Sequence, residues 1–230
     1  PDKNEISAAV VLLKGLPLDG AIITGDAIFT QREICQQIRD KNGHYLFVVK
    51  DNQPALKAGI AEAFGDHSPL DPTRVDNGPP PDLKSAETAG KAHGRIETRR
   101  IATSSEAAPH LDWPGLAQIA RLTRTREIGG KVSTEVVYLI TSLPAAAAPP
   151  ERLLALNRAH WAIENKLHHV RDVSMDEDRC RVRAGARALS GVRNTALAII
   201  RRSGQAIREA RENYREDRAE AIKIVTGRIL

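Results

Sequence analysis

The hydrophobic pattern of the first 64 residues predicts helices that alternate with two short buried strands. Apolar side chains recur at helical spacing over residues 5–16 and again over residues 30–41. Two β-branched or aromatic apolar runs, at residues 21–24 and 45–49, have the length and composition of buried strands. A strand, a helix and a second strand in this order favour a parallel crossover, in which ligands collect at the carboxyl ends of the strands.

Polar side chains follow both predicted strands. Asp26 comes directly after the first strand, Lys50 directly after the second, and Asn52 two residues later. Because the carboxyl ends of parallel strands meet at one edge of a sheet, we expect these residues to lie near one another. Lys50 and Asn52 could bind phosphate groups there, although a solvated strand end explains them equally well.

The middle of the chain has a different composition. Residues 65–94 are dense in proline, glycine and aspartate, which predicts a loop or linker. Beyond it, the pattern predicts strands over residues 95–103, 115–128 and 131–142, with a hairpin turn at Gly129 and Gly130. These segments together predict a small β-rich insertion.

The last third of the chain is predicted to be helical. An alanine- and proline-rich hinge at residues 145–150 precedes helices predicted over residues 151–173, 187–203 and 204–223. In the first of these helices, the apolar residues Leu153, Leu156, Ile163, Leu167 and Val170 form one seam. A polar stripe lies beside that seam and contains Asn157, His160, Glu164, His168 and Arg171.

Glu164 is the most informative member of that polar stripe. A carboxylate at the border of an apolar seam is partly desolvated, so it tends to be paired with a cation or bound to a metal ion. Helical spacing leaves open a surface ion pair with a neighbouring histidine or arginine. Zinc binding by His160, Glu164 and His168 is a further alternative, but the HExxH arrangement is absent and positions eight apart diverge on a helix.

Charge and composition narrow the classes of protein. The net charge is +5, and residues 151–230 carry 17 of the 34 basic side chains but 11 of the 29 acidic ones. This excess, which includes a run of arginines after Asp178, is compatible with a polyanionic partner or with a soluble basic face. No apolar run is long enough for a bilayer span and no signal-peptide pattern is present, so we expect a cytoplasmic protein without membrane association. The two cysteines are isolated and predict neither a zinc motif nor a disulfide framework.

Several motifs spread over residues 3–203 resemble one known family. They are KNEI at residues 3–6, TGDA at 24–27, KDNQP at 50–54, HGRIETR at 93–99, TSLP at 141–144 and RAHWAIEN at 158–165, followed by LH at 167–168, RDV at 171–173, ED at 177–178 and RN at 193–194. Together they resemble the DDE-type insertion-sequence transposases, specifically the ISAs branch. Any one of these motifs alone would be a weak signal.

This resemblance implies an α/β fold: an RNase H-like catalytic core with a β-rich insertion and C-terminal helices. Its catalytic carboxylates would converge on one or two Mg²⁺ (or Mn²⁺) ions, with Asp26 matching the second acid of the family and Glu164 the third. The family's first aspartate lies on a strand upstream of the segment that matches residues 3–6, and no residue of this chain matches it. We therefore expect an upstream segment.

The residues around Glu164 match the family pattern less well than Glu164 itself. The wider group has Tyr, Arg, Glu and Lys in a fixed pattern where this chain has Asn157, His160, Glu164 and Arg171. Only Glu164 is carried over as catalytic, and the other three are candidate phosphate or supporting contacts. The full set of candidate DNA-binding residues is Lys50, Asn52, Arg95, Arg99, Asn157, His160, Arg171 and Arg193.

The sequence thus predicts three regions: a first part of the RNase H-like core at residues 1–64, a linker and β-rich insertion at 65–150, and a C-terminal helical part of the core at 151–230. The predicted function is metal-dependent cleavage and strand transfer of insertion-sequence DNA ends, by a protein that acts as a dimer on DNA. The alternative is a truncated, inactive DNA-binding remnant, which the missing first aspartate would favour.

Overall fold

The computed structural model describes residues 4–66, 80–92, 95–163 and 169–226. The chain divides into two compact units, Pro1–His160 and Trp161–Leu230. The first unit contains α1 (Glu5–Gly15), β1 (Ile22–Gly25), α2 (Arg32–Asp40), β2 (His44–Val49), α3 (Pro54–Ala63), β3 (Lys84–Ala92), β4 (Arg95–Ser104), β5 (Gln118–Ile128), β6 (Lys131–Thr141) and most of α4 (Pro150–Ile163). Short 3₁₀ helices follow β1 at Ala27–Phe29 and β4 at Ala108–His110.

The strands form one six-stranded mixed sheet in the order β1-β2-β6-β5-β4-β3. The predicted parallel pair is confirmed, since β1 and β2 run parallel with Ile22 opposite His44. All other neighbouring strands are antiparallel. The predicted β-rich segment therefore continues the same sheet, and β1 occupies one of its edges.

Helices cover both faces of this sheet because successive side chains of each strand point to opposite sides. Tyr45 and Phe47 of β2 join a buried cluster with residues of α1, α2 and α3. Leu46, between them in sequence, belongs to a second cluster on the other face, where Leu153 and Leu154 of α4 are 0% and 3% exposed. The face that α4 covers is called the α4 face below.

Strand β3 corrects the sequence prediction, which assigned all of residues 65–94 to a loop or linker. Lys84–Ala92 is a strand that pairs along its whole length with β4, from Lys84 opposite Thr103 to Ala92 opposite Arg95. Its sequence KSAETAGKA contains no β-branched aliphatic or aromatic residue, so local propensity does not predict it. This strand is stabilised by its pairing with β4. Residues 67–79 of the predicted loop lie outside the described part of the chain.

The second unit is helical, as the sequence predicts. A single π-helical turn at Val170–Ser174 is followed by α5 (Ala186–Arg202), α6 (Ile207–Glu216) and α7 (Arg218–Val225). The last predicted helix is thus two helices. Asp217 separates them, because its carboxylate accepts the backbone N–H groups of Ala219 and Glu220 and so caps the start of α7. No helix in the described ranges is both long and apolar enough to cross a membrane.

Candidate active site

Asp26 lies at the carboxyl end of β1, where the chain enters the 3₁₀ helix Ala27–Phe29. Its side chain is 74% exposed, so the carboxylate faces solvent at the edge of the sheet. Gly25 immediately before it permits a close approach of neighbouring rings. A Cβ at this position would lie 3.1 Å from atoms of both Phe29 and Phe47, which is tighter than ordinary packing.

The loop that follows Asp26 is tied to the end of β2 by three side-chain hydrogen bonds. Asn52 Nδ2 donates to the carbonyl oxygen of Ala27 at 2.6 Å, and Gln53 Nε2 donates to that of Thr30 at 2.9 Å. In the opposite direction, Thr30 Oγ1 donates to the carbonyl oxygen of Val48 at 2.6 Å. We call this set of three bonds the loop clamp. The loop clamp limits the conformational freedom of residues 27–30, which directly follow Asp26.

His160 of α4 contacts β1 at the same place. Its Nδ1 lies 3.1 Å from Thr24 Oγ1, and its Nε2 lies 3.5 Å from Asp26 Oδ1. When the Thr24 hydroxyl donates to Nδ1, the ring proton is carried by Nε2 and faces Asp26. Thr24 and Asp26 are two residues apart on a strand and therefore share the α4 face.

Other members of the predicted polar stripe differ in their surroundings. Asn157 is only 7% exposed and lies among the buried residues of α4. Glu164 and His168 lie outside the described residues, so the predicted proximity of Asp26 and Glu164 cannot be compared with the structure. In the described ranges, no three His, Cys, Asp or Glu residues are grouped closely enough to hold a metal ion.

The predicted phosphate contacts of the first unit fall in two places. Lys50 is exposed directly after β2, next to an ion pair in which Lys57 Nζ lies 2.7 Å from Asp51 Oδ1. Arg95 and Arg99 lie on β4 and both contact Glu97, at 3.4 Å and 2.7 Å. Those two arginines share one face of β4, as residues two or four apart on a strand do.

Arg171 and Arg193 belong to the second unit and meet at one carboxylate. Arg171 forms a bidentate ion pair with Glu177 and also donates to Ser190 Oγ at 2.6 Å. Arg193 Nη1 lies 3.4 Å from Glu177 Oε1. The hydrogen bond from Arg171 is the main reason why the pKa of Glu177 is lowered, against the opposing effect of burial.

Sequence reasoning did not identify Thr24, and it missed the clamping contacts of Asn52 and Gln53. Thr24 could have been found from its two-residue spacing to Asp26, which places both on one face of a strand. The hydrogen bonds of Asn52 and Gln53 could not have been found in this way, because the sequence alone does not show which loop lies beside a polar residue that follows a strand.

The chain is similar to one family of known proteins. Residues 1–200 match the family model described as the transposase DDE domain, and the chain belongs to this family.

Among curated proteins, the chain is 35% identical over 207 residues to "Putative protein YbfL" and to "H repeat-associated putative transposase YhhI", both of Escherichia coli K12. It is 34% identical over 204 residues to "Putative transposase YncI" of Escherichia coli O157:H7. Each alignment covers 86% of this chain but only 50–52% of the relative. The chain thus spans about half the length of these relatives. No solved structure matches the chain significantly.

Proposed function

We propose that this chain carries two of the three acidic residues of a DNA transposase, which cleaves phosphodiester bonds at insertion-sequence ends and transfers the strands to a target. One observation carries the proposal: an exposed aspartate at the carboxyl end of β1 is in contact with a histidine of α4. The family supports an RNase H-like core, and the proposal of the ISAs branch rests on the sequence motifs.

Glu164 is proposed as the partner of Asp26. The proposal for Glu164 rests on the sequence motif RAHWAIEN at residues 158–165, in which it matches the third acid of the family.

A divalent ion suits the donor set. Mg²⁺ prefers a small number of carboxylate oxygens, with water and phosphate oxygens completing its coordination. Asp26 offers such an oxygen, because its side chain is largely exposed and its one ion-pair contact within the described ranges is the 3.5 Å approach of His160. Asp26 and Glu164 would hold Mg²⁺ or Mn²⁺, which supplies charge neutralisation at the attacking and leaving oxygens.

The residues around Asp26 orient it for this role. The loop clamp holds the backbone after Asp26, and the contact with His160 restrains the carboxylate itself. Preorganised ligands reduce the cost of assembling a reactive geometry. No side-chain nucleophile is needed, because water or a 3′-hydroxyl attacks the phosphorus.

The first aspartate of the family is proposed to lie on a strand contributed by sequence upstream of this chain. Strand β1 is at the edge of the described sheet, so it has a free side with which another strand could pair. The curated relatives are about twice as long as the aligned region. The comparisons do not favour the alternative of an inactive remnant. Because the reaction joins paired ends, we propose a dimer on DNA.

The test is DNA cleavage and strand transfer by the chain joined to its natural upstream sequence, with Mg²⁺ and a duplex bearing the insertion-sequence end. Asp26→Ala and Glu164→Ala should abolish both reactions, whereas His168→Ala and Glu151→Ala should retain them. Glu151 is a matched control because it is an exposed carboxylate at the start of the same helix. Retained cleavage in either of the first two variants would overturn the proposal, and loss in His168→Ala would favour a zinc site.

A further inference from the structure

A small cationic pocket lies between α4 and the β3–β4 hairpin, on the α4 face of the sheet. The described residues that line it are Thr88, Ala89, Gly90, Lys91, Arg95, Glu97, Arg99 and Arg158, and its volume is about 190 Å³. We call it the Arg158 pocket. On the α4 face its lining combines the guanidinium groups of Arg95, Arg99 and Arg158 with one carboxylate, that of Glu97, so it carries an excess of positive charge.

Glu97 organises the arginines of the hairpin. Its Oε1 lies 2.7 Å from Arg99 Nη2 and 3.8 Å from Arg126 Nε, and its Oε2 lies 3.4 Å from Arg95 Nη2. Partial burial opposes ionisation of Glu97, but the hydrogen bond from Arg99 and the nearby arginine charges hold its pKa below the usual value. One ionised carboxylate therefore holds several guanidinium groups together without neutralising all of them.

One cation of the pocket has no such partner. Arg158 is exposed and makes no hydrogen bond or ion pair within the described part of the chain. Clustered like charges repel one another, and an anionic ligand would relieve this repulsion. Arginine groups in particular match the oxygens of a phosphate group, to which they can donate two parallel hydrogen bonds.

Gly90 keeps the pocket open. It lies directly opposite Glu97 in the β3–β4 ladder, and a Cβ built at this position would meet no atom within 4 Å. A side chain at position 90 would thus project into open space instead of into the protein. The absence of a side chain here leaves room for a ligand above Glu97.

The pocket and the candidate active site lie on one face of the same sheet, on either side of α4. Arg158 and His160 are two residues apart, which is about 200° around a helix. Four strand spacings, about 19 Å, separate β1 from β4 across the sheet, and the registers put Gly25 level with Ser104, seven residues along β4 from Glu97. The two sites are therefore several nucleotides apart along a DNA strand, which advances about 3.4 Å per nucleotide.

We propose that the Arg158 pocket binds one phosphate group of the DNA backbone, at a point several nucleotides from the phosphate that reacts at Asp26. The inference rests on the proposed function, since it assumes that DNA is the substrate. The pocket is smaller than the roughly 300–1,000 Å³ of typical small-molecule sites. Its size therefore suits one group of an extended ligand better than a whole nucleotide.

Duplex binding measured against salt concentration tests this proposal, with the chain joined to its natural upstream sequence. Arg158→Gln should weaken binding and lower the slope of log affinity against log salt by about 1. Gly90→Val should weaken binding without removing a charge, because it fills the pocket. Lys14→Gln is the matched control: it removes an exposed cation from α1, on the opposite face, and should have little effect.

Each outcome is decisive. If Arg158→Gln or Gly90→Val behaves like Lys14→Gln, the pocket is not a DNA contact, while the proposed function stands. If the unmodified protein binds no duplex, both proposals fail. Inorganic phosphate and a mononucleotide are titrated in parallel; saturation of the pocket by either at a lower concentration than the duplex would assign it to a free phosphate ligand. Thermal unfolding of the three variants checks that the fold is retained.

Discussion

Thr24 and His160 are 136 residues apart in the chain, and their side chains are joined by a hydrogen bond of 3.1 Å between Oγ1 and Nδ1. The contact attaches α4 to β1 two residues before Asp26. When the Thr24 hydroxyl donates, the contact also sets the tautomer, since a nitrogen of a neutral ring that accepts a hydrogen bond leaves the other nitrogen to donate toward the carboxylate. We therefore expect Thr24 to position Asp26 through His160.

Replacement of Thr24 tests this positioning role. Thr24→Val keeps the shape but removes the hydroxyl, and we expect cleavage by the full protein to slow about tenfold, as for the loss of about 1.4 kcal/mol. Thr24→Ser keeps the hydroxyl and should restore most of the rate. The measurement is single-turnover cleavage of end-containing DNA with Mg²⁺.

A structural effect alone would give a different pattern. If Thr24→Val and Thr24→Ser slowed cleavage equally, the methyl group and not the hydroxyl would matter, and the positioning role would be wrong. ¹⁵N chemical shifts of the His160 ring give a readout that does not depend on activity. We expect the Nε2–H form in the unmodified protein and a mixture of the two neutral forms in Thr24→Val.

Asn52 allows the loop clamp to be separated from a direct DNA contact. Asn52→Ala removes the donor to the Ala27 carbonyl, and we expect the free energy of unfolding to fall by about 1 kcal/mol in the absence of DNA. Urea unfolding measures this. Asp51→Ala, at an exposed neighbour in a surface ion pair, should change stability by less. If Asn52→Ala weakened DNA binding but left stability unchanged, Asn52 would be a DNA contact and not part of the clamp.

The strands and the helix that surround Asp26 could be predicted because the spacing of their apolar residues matches the faces that are buried in the structure. Strands β1 and β2 are short apolar runs, and α2 between them buries Ile34 and Ile38, four residues apart, as its pattern predicts. The β5–β6 hairpin was also predictable, since Gly129 and Gly130 both adopt positive φ angles, 56° and 77°, which a tight hairpin turn of this kind requires.

The contacts within the site could not be predicted in the same way. Glu97 contacts Arg126 because the strand register places them opposite each other, and register depends on the assembled sheet. Asn157 is polar in sequence yet buried against the sheet. The approach of His160 to Asp26 likewise depends on how α4 packs on the sheet, which periodicity alone does not specify.

The two cysteines should differ strongly in reactivity. Burial raises the pKa of Cys35 to about 12, although Trp113 Nε1 donates a hydrogen bond to its sulfur at 3.3 Å. The pKa of Cys180 is lowered by the backbone N–H of Val182 and by the side chain of Arg193. Because the thiolate is the reactive form, iodoacetamide at neutral pH should alkylate Cys180 in the native protein and leave Cys35 unmodified.

Mass spectrometry of tryptic peptides measures both sites in one sample. Arg193→Gln should slow alkylation of Cys180 without changing that of Cys35, and unfolding in urea should make both cysteines reactive. Alkylation of native Cys35 at a rate similar to that of Cys180 would contradict the prediction.

Asp82 should make the stability of the sheet depend on pH in the acid range. Despite some burial, hydrogen bonds from Ser104, Ser105 and the backbone N–H of Glu106 lower its pKa to about 2. The ordinary value is about 3.9, so the unfolded chain binds the proton more readily. Its stabilising effect is therefore complete above about pH 4 and is lost as the pH falls to about 2.

The variant Asp82→Asn removes this effect. At neutral pH we expect it to unfold with a free energy lower by about 1–2 kcal/mol, after allowance for solvent screening. The difference from the unmodified protein should shrink as the pH falls from about 4 to about 2. Urea unfolding at a series of pH values measures it, with Glu87→Gln, at an exposed position of the following strand β3, as the control. A difference that stays constant down to pH 2 would show that Asp82 acts through packing and not through its charge.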